Sequence, residues 1–194
     1  MKYLLTTAFL LVFISNISFG QDLKKLDERR GFKRLTLGLP LQVVKDNDKL
    51  KHIETNKKNQ TSEYSVKDLS DFTISGFQPA YINLHFFKDK LMQISIKMPD
   101  QPININGVLN KAHGNLWVKV YSDLLDTYSR ETEMTEDKIE GSYSTIWRAS
   151  EVTLFFTRYK IAIDFTELGF KLDFIHNLLY HESQLVNPSL LSDF

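Results

Sequence analysis

The clearest pattern in the chain is an alternation of apolar and polar positions from Ala80 to Met98. Ile82, Leu84 and Phe86 alternate with Tyr81, Asn83 and His85; after Lys88-Asp89-Lys90, Met92, Ile94, Ile96 and Met98 alternate with Gln93, Ser95 and Lys97. Period two on both sides of a short polar turn predicts a β-hairpin. A three-residue turn pairs Phe86 with Met92, Leu84 with Ile94 and Ile82 with Ile96, so that the apolar side chains share one face. The opposite face then carries Tyr81, Asn83, His85, Gln93, Ser95 and Lys97, and it should be wet. A second hairpin is predicted over Val152–Thr166. There Val152, Leu154 and Phe156 must face the same way as Ile163 and Phe165, which requires a turn at Arg158–Ile161 with Thr157 opposite Ala162. Phe155 falls among Thr153, Thr157, Ala162 and Asp164 on the polar side, where an exposed aromatic would mark an interface or a covering helix. Tyr143–Arg148 reads as another strand, as do Lys51–Thr55, Glu63–Val66 and Phe72–Phe77.

Between the two β regions the period becomes helical. Leu116, Trp117, Val120, Tyr121, Leu124, Leu125 and Tyr128 form a broad apolar stripe. Asn115 can cap its start, and Glu131 and Glu133 oppose the helix dipole, so the helix should stop near Ser129. A short helix is expected from Pro40 to about Asn47, and a helical tail from Ile175 to Leu185. Residues 21–34 carry Lys24, Lys25, Arg29, Arg30, Lys33 and Arg34 against Asp22, Asp27 and Glu28, and read as a solvated, partly helical leader. The acidic stretch from Glu131 to Glu140 reads as a solvated loop. The fold class is therefore α+β: an antiparallel sheet built from hairpins, packed against one long amphipathic helix and one short N-terminal helix. The repeated order of helix then strands suggests a two-half duplication, 32–98 and 115–168.

The first twenty residues stand apart from this pattern. Lys2 gives a short positive region, an apolar run extends from Tyr3 to Ile14, and Ser18-Phe19-Gly20 places small residues where signal peptidase needs them. The run is too short to cross a bilayer as a helix, which takes about 20 residues. The expected working protein is a single domain over 21–194, exported to the periplasm or the exterior. Apolar residues make up 42% and charged residues 25% of the chain, a globular composition. The near-neutral charge provides no field for nucleic acid. No second apolar run approaches spanning length.

There is no cysteine. Disulfides, thiolate metal sites and thiol nucleophiles are excluded, as is bacterial lipidation at the cleavage point. An exported domain without disulfides must rely on core packing, which 14 Phe, 8 Tyr and 2 Trp can supply.

The chain carries little chemistry of its own at the level of motifs. His176 and His181 lie five apart, which gives two ligands on neither a helix face nor a strand face. His181-Glu182-Ser183-Gln184-Leu185 begins like a zinc-protease motif but has Leu185 where the second histidine must stand. Gly141-Ser142-Tyr143-Ser144 lacks the glycines of a nucleophile elbow, and no phosphate-binding glycine loop is present. No catalytic residue, metal ligand or cofactor is assigned.

At Gly38-Leu39-Pro40-Leu41-Gln42-Val43-Val44 the chain resembles the opening of small exported bacterial modules of the β-lactamase-inhibitor-protein-like and outer-membrane-assembly-lipoprotein kind. Pro40 stands where those modules usually have Ser or Thr. The resemblance implies protein binding through an exposed sheet face and not catalysis. The expected function is an exported non-enzymatic binding module that engages another envelope or secreted protein. Its candidate contacts are Tyr81, His85, Gln93, Lys97 and Phe155, although an ordinary solvated sheet face uses the same residue types. The alternatives are a carrier of a small apolar ligand or lipid and, further down, an envelope hydrolase.

Overall fold

The computed structural model describes residues 23–102, 116–129, 131–137, 141–160 and 167–186. The proposed export signal, Asn115, and the predicted hairpin positions Ala162, Ile163 and Phe165 lie outside the described residues. The N-terminal part runs through a helix over 23–29 (α1) and a small hairpin, Gly31–Phe32 (β1) with Leu35–Thr36 (β2). It continues with helix Leu41–Asn47 (α2) and strands Leu50–Asn56 (β3), Thr61–Val66 (β4), Tyr81–Phe87 (β5), Lys90–Lys97 (β6) and Gln101–Pro102 (β7). Then come helix Leu116–Tyr128 (α3), strands Glu133–Asp137 (β8), Ser142–Arg148 (β9), Val152–Lys160 (β10) and Glu167–His176 (β11), and helix Asn177–Val186 (α4). The protein is α+β. Its main sheet is antiparallel in the order β3-β4-β5-β6-β11-β10-β9-β8, with β7 also pairing β11.

The β5–β6 hairpin forms as its alternation predicts, with a different turn. Lys88 and Asp89 both take positive φ, 48° and 59°, so two residues close the hairpin in the conformation whose twist suits paired strands. Leu84 pairs Ile94 and Ile82 pairs Ile96, but a bulge after His85 pairs Phe86 with Leu91 and not with Met92. Met92 instead packs with Phe87 and with Leu179 of α4 in a second, smaller apolar cluster.

The second hairpin departs further from expectation. β10 continues to Lys160, and Thr157 pairs Lys171, so the predicted turn at Arg158–Ile161 does not exist. The partner strand is the run Phe170, Leu172, Phe174, whose own alternation matches Leu154 and Phe156 over a longer ladder. The C-terminal helix accordingly starts at Asn177. Phe72–Phe77 is no strand: Ile74 bridges Phe77 around a turn at Ser75 and Gly76, although Phe72 is fully buried. Part of the acidic loop is strand β8, paired with β9 at the sheet edge.

The main core lies on one face of the sheet. Ile82, Leu84, Ile94, Ile96, Leu154, Phe156, Leu172 and Phe174 meet Leu26 of α1, Val44 of α2 and Leu116, Val120 and Tyr128 of α3. Tyr121 stacks on Phe156 at 5.9 Å and Phe156 lies 5.4 Å from Phe170. The residues after β2 are tied in by Arg34, which donates from Nε to Asp48 at 2.9 Å and lies over Phe72 at 4.3 Å.

Residues 23–34 are not a solvated leader. Leu26 is fully buried, and the neighbouring Asp27 carboxylate accepts from the backbone N–H groups of Ser150, Glu151 and Val152 at 2.8–3.1 Å. The Ser150 hydroxyl donates to the same group, and Arg30 pairs with Glu151. Burial alone would raise the Asp27 pKa; these hydrogen bonds outweigh it and hold the carboxyl below its ordinary value. The clamp thus joins the first helix to the turn before β10. It is complete at neutral pH and is lost as pH falls through the lowered Asp27 value. Asp27→Ala should lower the free energy of unfolding by about 1–3 kcal/mol in urea titrations near pH 7, because it orphans backbone donors. An unchanged midpoint would mean that the Asp27 hydrogen bonds add nothing to the packing of Leu26 and the Arg30–Glu151 pair.

Candidate functional site

Cross-strand partners point to the same side of a sheet, so the registers show which residues share the face opposite the main core. One row across the strands is Tyr81, Lys97, Lys171, Thr157 and Ser144. The next is Asn83, Ser95, Asp173, Phe155 and Ile146, and the third is Glu63, His85, Gln93, Ile175 and Thr153. Tyr81, His85, Gln93, Lys97 and Phe155 therefore stand on one face of one sheet, although they come from two separate hairpins.

That face is less wet than the alternation suggested. Tyr81 is 46% exposed, but the Lys97 side chain is only 12% exposed. Its ammonium pairs with Asp100 Oδ1 at 2.5 Å, donates to the Tyr159 hydroxyl and lies over the Tyr159 ring at 4.2 Å. Gly169 faces Tyr159 across β10–β11; a Cβ there would come within 2.6 Å of the ring, so only glycine admits this packing. Lys97 is committed to the protein itself.

Gln93 is committed too. Its amide donates to Ser95 Oγ at 3.0 Å and to Asp173 Oδ1 at 3.1 Å. Ser95 Oγ donates to the same Asp173 oxygen at 2.5 Å, and Lys171 Nζ stands 3.2 Å from Asp173 Oδ2. Asp173 is buried, and these partners satisfy it. Phe155 is half-buried and pairs Asp173 in the ladder.

Helix α4 folds back onto this face against β5, β6 and β11. Beside it lies a cavity of about 400 Å³ whose lining includes Glu54, Glu63, His85, Gln93, Tyr180 and Gln184. Of the five sequence candidates, His85 and Gln93 reach this cavity. Glu54, Glu63 and Gln184 had no signal in the sequence, since a lone polar residue on a strand or helix does not reveal what folds over it. Asp173 did have one: it interrupts the apolar alternation of Phe170, Leu172 and Phe174 as a strand's outward residue would.

His85 Nδ1 stands 3.9 Å from Glu63 Oε2. Burial lowers the His85 pKa, Glu63 and Asp173 oppose the shift, and Lys171 adds to it. Burial also lowers His176, with Arg30 assisting, and the buried His176 Nδ1 has no hydrogen-bond partner among the described residues. Among the described residues no group of three or more His, Cys, Asp or Glu could hold a metal ion, and no helix is long and apolar enough to cross a membrane. No protein-family model, curated protein or solved structure matches this chain. Among the described residues the fold thus defines an α+β protein whose antiparallel sheet has one apolar face under α1, α2 and α3 and one polar face under α4.

Both shifts favour the neutral imidazole in the fold, so each ring gains a proton more readily when unfolded. Their contribution is intact above the unfolded imidazole value of about 6.5 and declines as pH falls through it. The urea midpoint should drop between pH 7.5 and pH 5.5, and His85→Gln with His176→Gln should flatten that dependence. A slope unchanged by the double substitution would assign the titration to other groups.

Proposed function

We propose that the protein is an exported, non-enzymatic binding module whose polar sheet face engages another envelope or secreted protein. The observation that carries this reading is the open end of that face. Tyr81 projects there on a strand between paired neighbours, with Lys171 and Thr157 in the same row. An aromatic held on a rigid platform loses little entropy on binding and is a typical anchor. Lys97 and Gln93 serve this surface as its internal bracing, and Phe155 and His85 flank it.

Other features support the same reading. The order of a helix followed by a four-strand meander occurs as α2 with β3–β6 and again as α3 with β8–β11. It agrees with a two-half duplication and with the resemblance to exported protein-binding modules, α3 serving as the principal amphipathic cover. The polar residues that line much of the cavity, Glu54, Glu63, His85 and Gln93 among them, weigh against a neutral apolar ligand.

The test is a crosslinking pull-down with the purified protein from the envelope and medium of the producing organism. One stoichiometric partner is expected, with affinity reduced at least about tenfold by Tyr81→Ala while the circular dichroism spectrum is unchanged. Absence of any partner at low salt would overturn the reading. Sequencing the exported protein should give an N-terminus at Gln21; an uncleaved Met1 would overturn export.

A further inference from the structure

We propose that copies of this chain associate edge to edge, strand β8 of one copy pairing with strand β3 of the next to continue the sheet. Among the described residues β3 pairs only with β4 and β8 only with β9. Each edge therefore presents a row of backbone N–H and C=O groups to a further strand. Lys51 to Thr55 are exposed without a break, as are Thr132 to Glu136, so side chains on both sides of the sheet meet water there. Each edge also holds out one apolar residue, Ile53 at 46% and Met134 at 62% exposure, whose burial on pairing is favourable.

The charges of the two edges are opposite. β3 carries Lys51 and is bounded by Lys49, Lys57 and Lys58, against the single acid Glu54. β8 reads Glu133-Met134-Thr135-Glu136-Asp137, with Glu131 before it and one base, Lys138, after it. Arg148 pairs with Glu133 at 3.2 Å; among the described residues no base pairs with Glu131 or Glu136, and no acid with Lys51, Lys57 or Lys58. The strand directions also match. Every ladder from β3 across to β8 is antiparallel, and the seven reversals leave the two edge strands running in opposite directions. A second copy set beside the first in the same orientation thus brings its β3 antiparallel to β8, as everywhere else in the sheet. The two-fold alternatives, β8 on β8 or β3 on β3, set like charges opposite each other and are disfavoured. The contact is head-to-tail, and its repetition builds an open, twisted row of copies and not a closed dimer. The bulge between His52 and Glu54 shortens the regular stretch of β3, so the association is weak and leans on charge.

Sedimentation velocity of the purified protein is followed over about a hundredfold range of concentration. The mean mass should rise past that of a dimer, and the rise should need at least about tenfold more protein at high salt than at low salt. Glu133→Lys with Glu136→Lys should weaken the association at least about tenfold, as should Lys51→Glu with Lys57→Glu and Lys58→Glu, each with an unchanged circular dichroism spectrum. Mixing the two variants should restore it, because each then meets an edge of opposite charge. The chain has no cysteine, so Thr135→Cys and Thr55→Cys report the contact directly. A short bismaleimide should join these two single-cysteine proteins to each other faster than it joins either to itself. A monomer at every concentration, growth that stops at a dimer, indifference to either charge reversal, or a mixture that does not recover overturns the proposal. Tyr81→Ala should leave self-association unchanged; its loss would move the contact to the polar face and overturn the edge pairing. The proposal goes beyond the binding-module reading, which stands if a protein that stays monomeric still captures its Tyr81-dependent partner.

Discussion

The pairing of β6 with β11 is the constraint on which the rest of the structure depends. Each half of the protein is a meander of four strands, and this ladder makes them one sheet. On the core side it sets Ile94 beside Phe174 and Ile96 beside Leu172; on the other it sets Ser95 beside Asp173. A slip of one residue would turn Asp173 into the apolar core and Leu172 and Phe174 out of it. Burying an unpaired carboxylate is far costlier than losing any one contact in the ladder. The Ser95, Gln93 and Lys171 partners of Asp173 therefore reward a single register, with Phe174 and Leu172 enforcing it from the opposite side.

Once that seam is fixed, the two faces acquire different roles. The apolar face is closed by α1, α2 and α3, and Asp27 fastens the first helix to the turn that feeds β10. The first described helix thus braces the turn before β10. The polar face receives only α4 among the described helices, and that helix covers the His85 end while leaving Tyr81 open. Partial cover produces both the cavity and the neighbouring exposed platform. Its outer side still shows Leu178 at 61% and Leu185 at 71% exposure, so α4 buries its smaller face inward through Leu179 and Ser183.

Much of the candidate face was legible where strand periodicity was strong. The β5–β6 alternation put Tyr81, His85, Gln93 and Lys97 on one side, and Phe155 stood out as an aromatic in a polar row. The β10 partner was misread because Ile163 and Phe165 offered a nearer apolar match than Phe170, Leu172 and Phe174, and periodicity alone has no preference for the longer ladder. Residues 23–29 looked solvated because six basic residues within 21–34 masked one buried leucine and one clamping aspartate.

By itself, the sequence determined which positions alternate, where helical stripes lie, that no cysteine chemistry exists and that the charge is balanced. These follow from local periodicity and composition, which act over a few residues. Only the tertiary structure decided that Glu54, Glu63, His85 and Gln184 share a cavity, that Lys97 is held by Tyr159 and Asp100, and that Asp173 is buried at the seam. Those arrangements bring together residues up to about 130 positions apart (Glu54 and Gln184 line one cavity), and nothing in a local pattern encodes which distant strand or helix will arrive opposite.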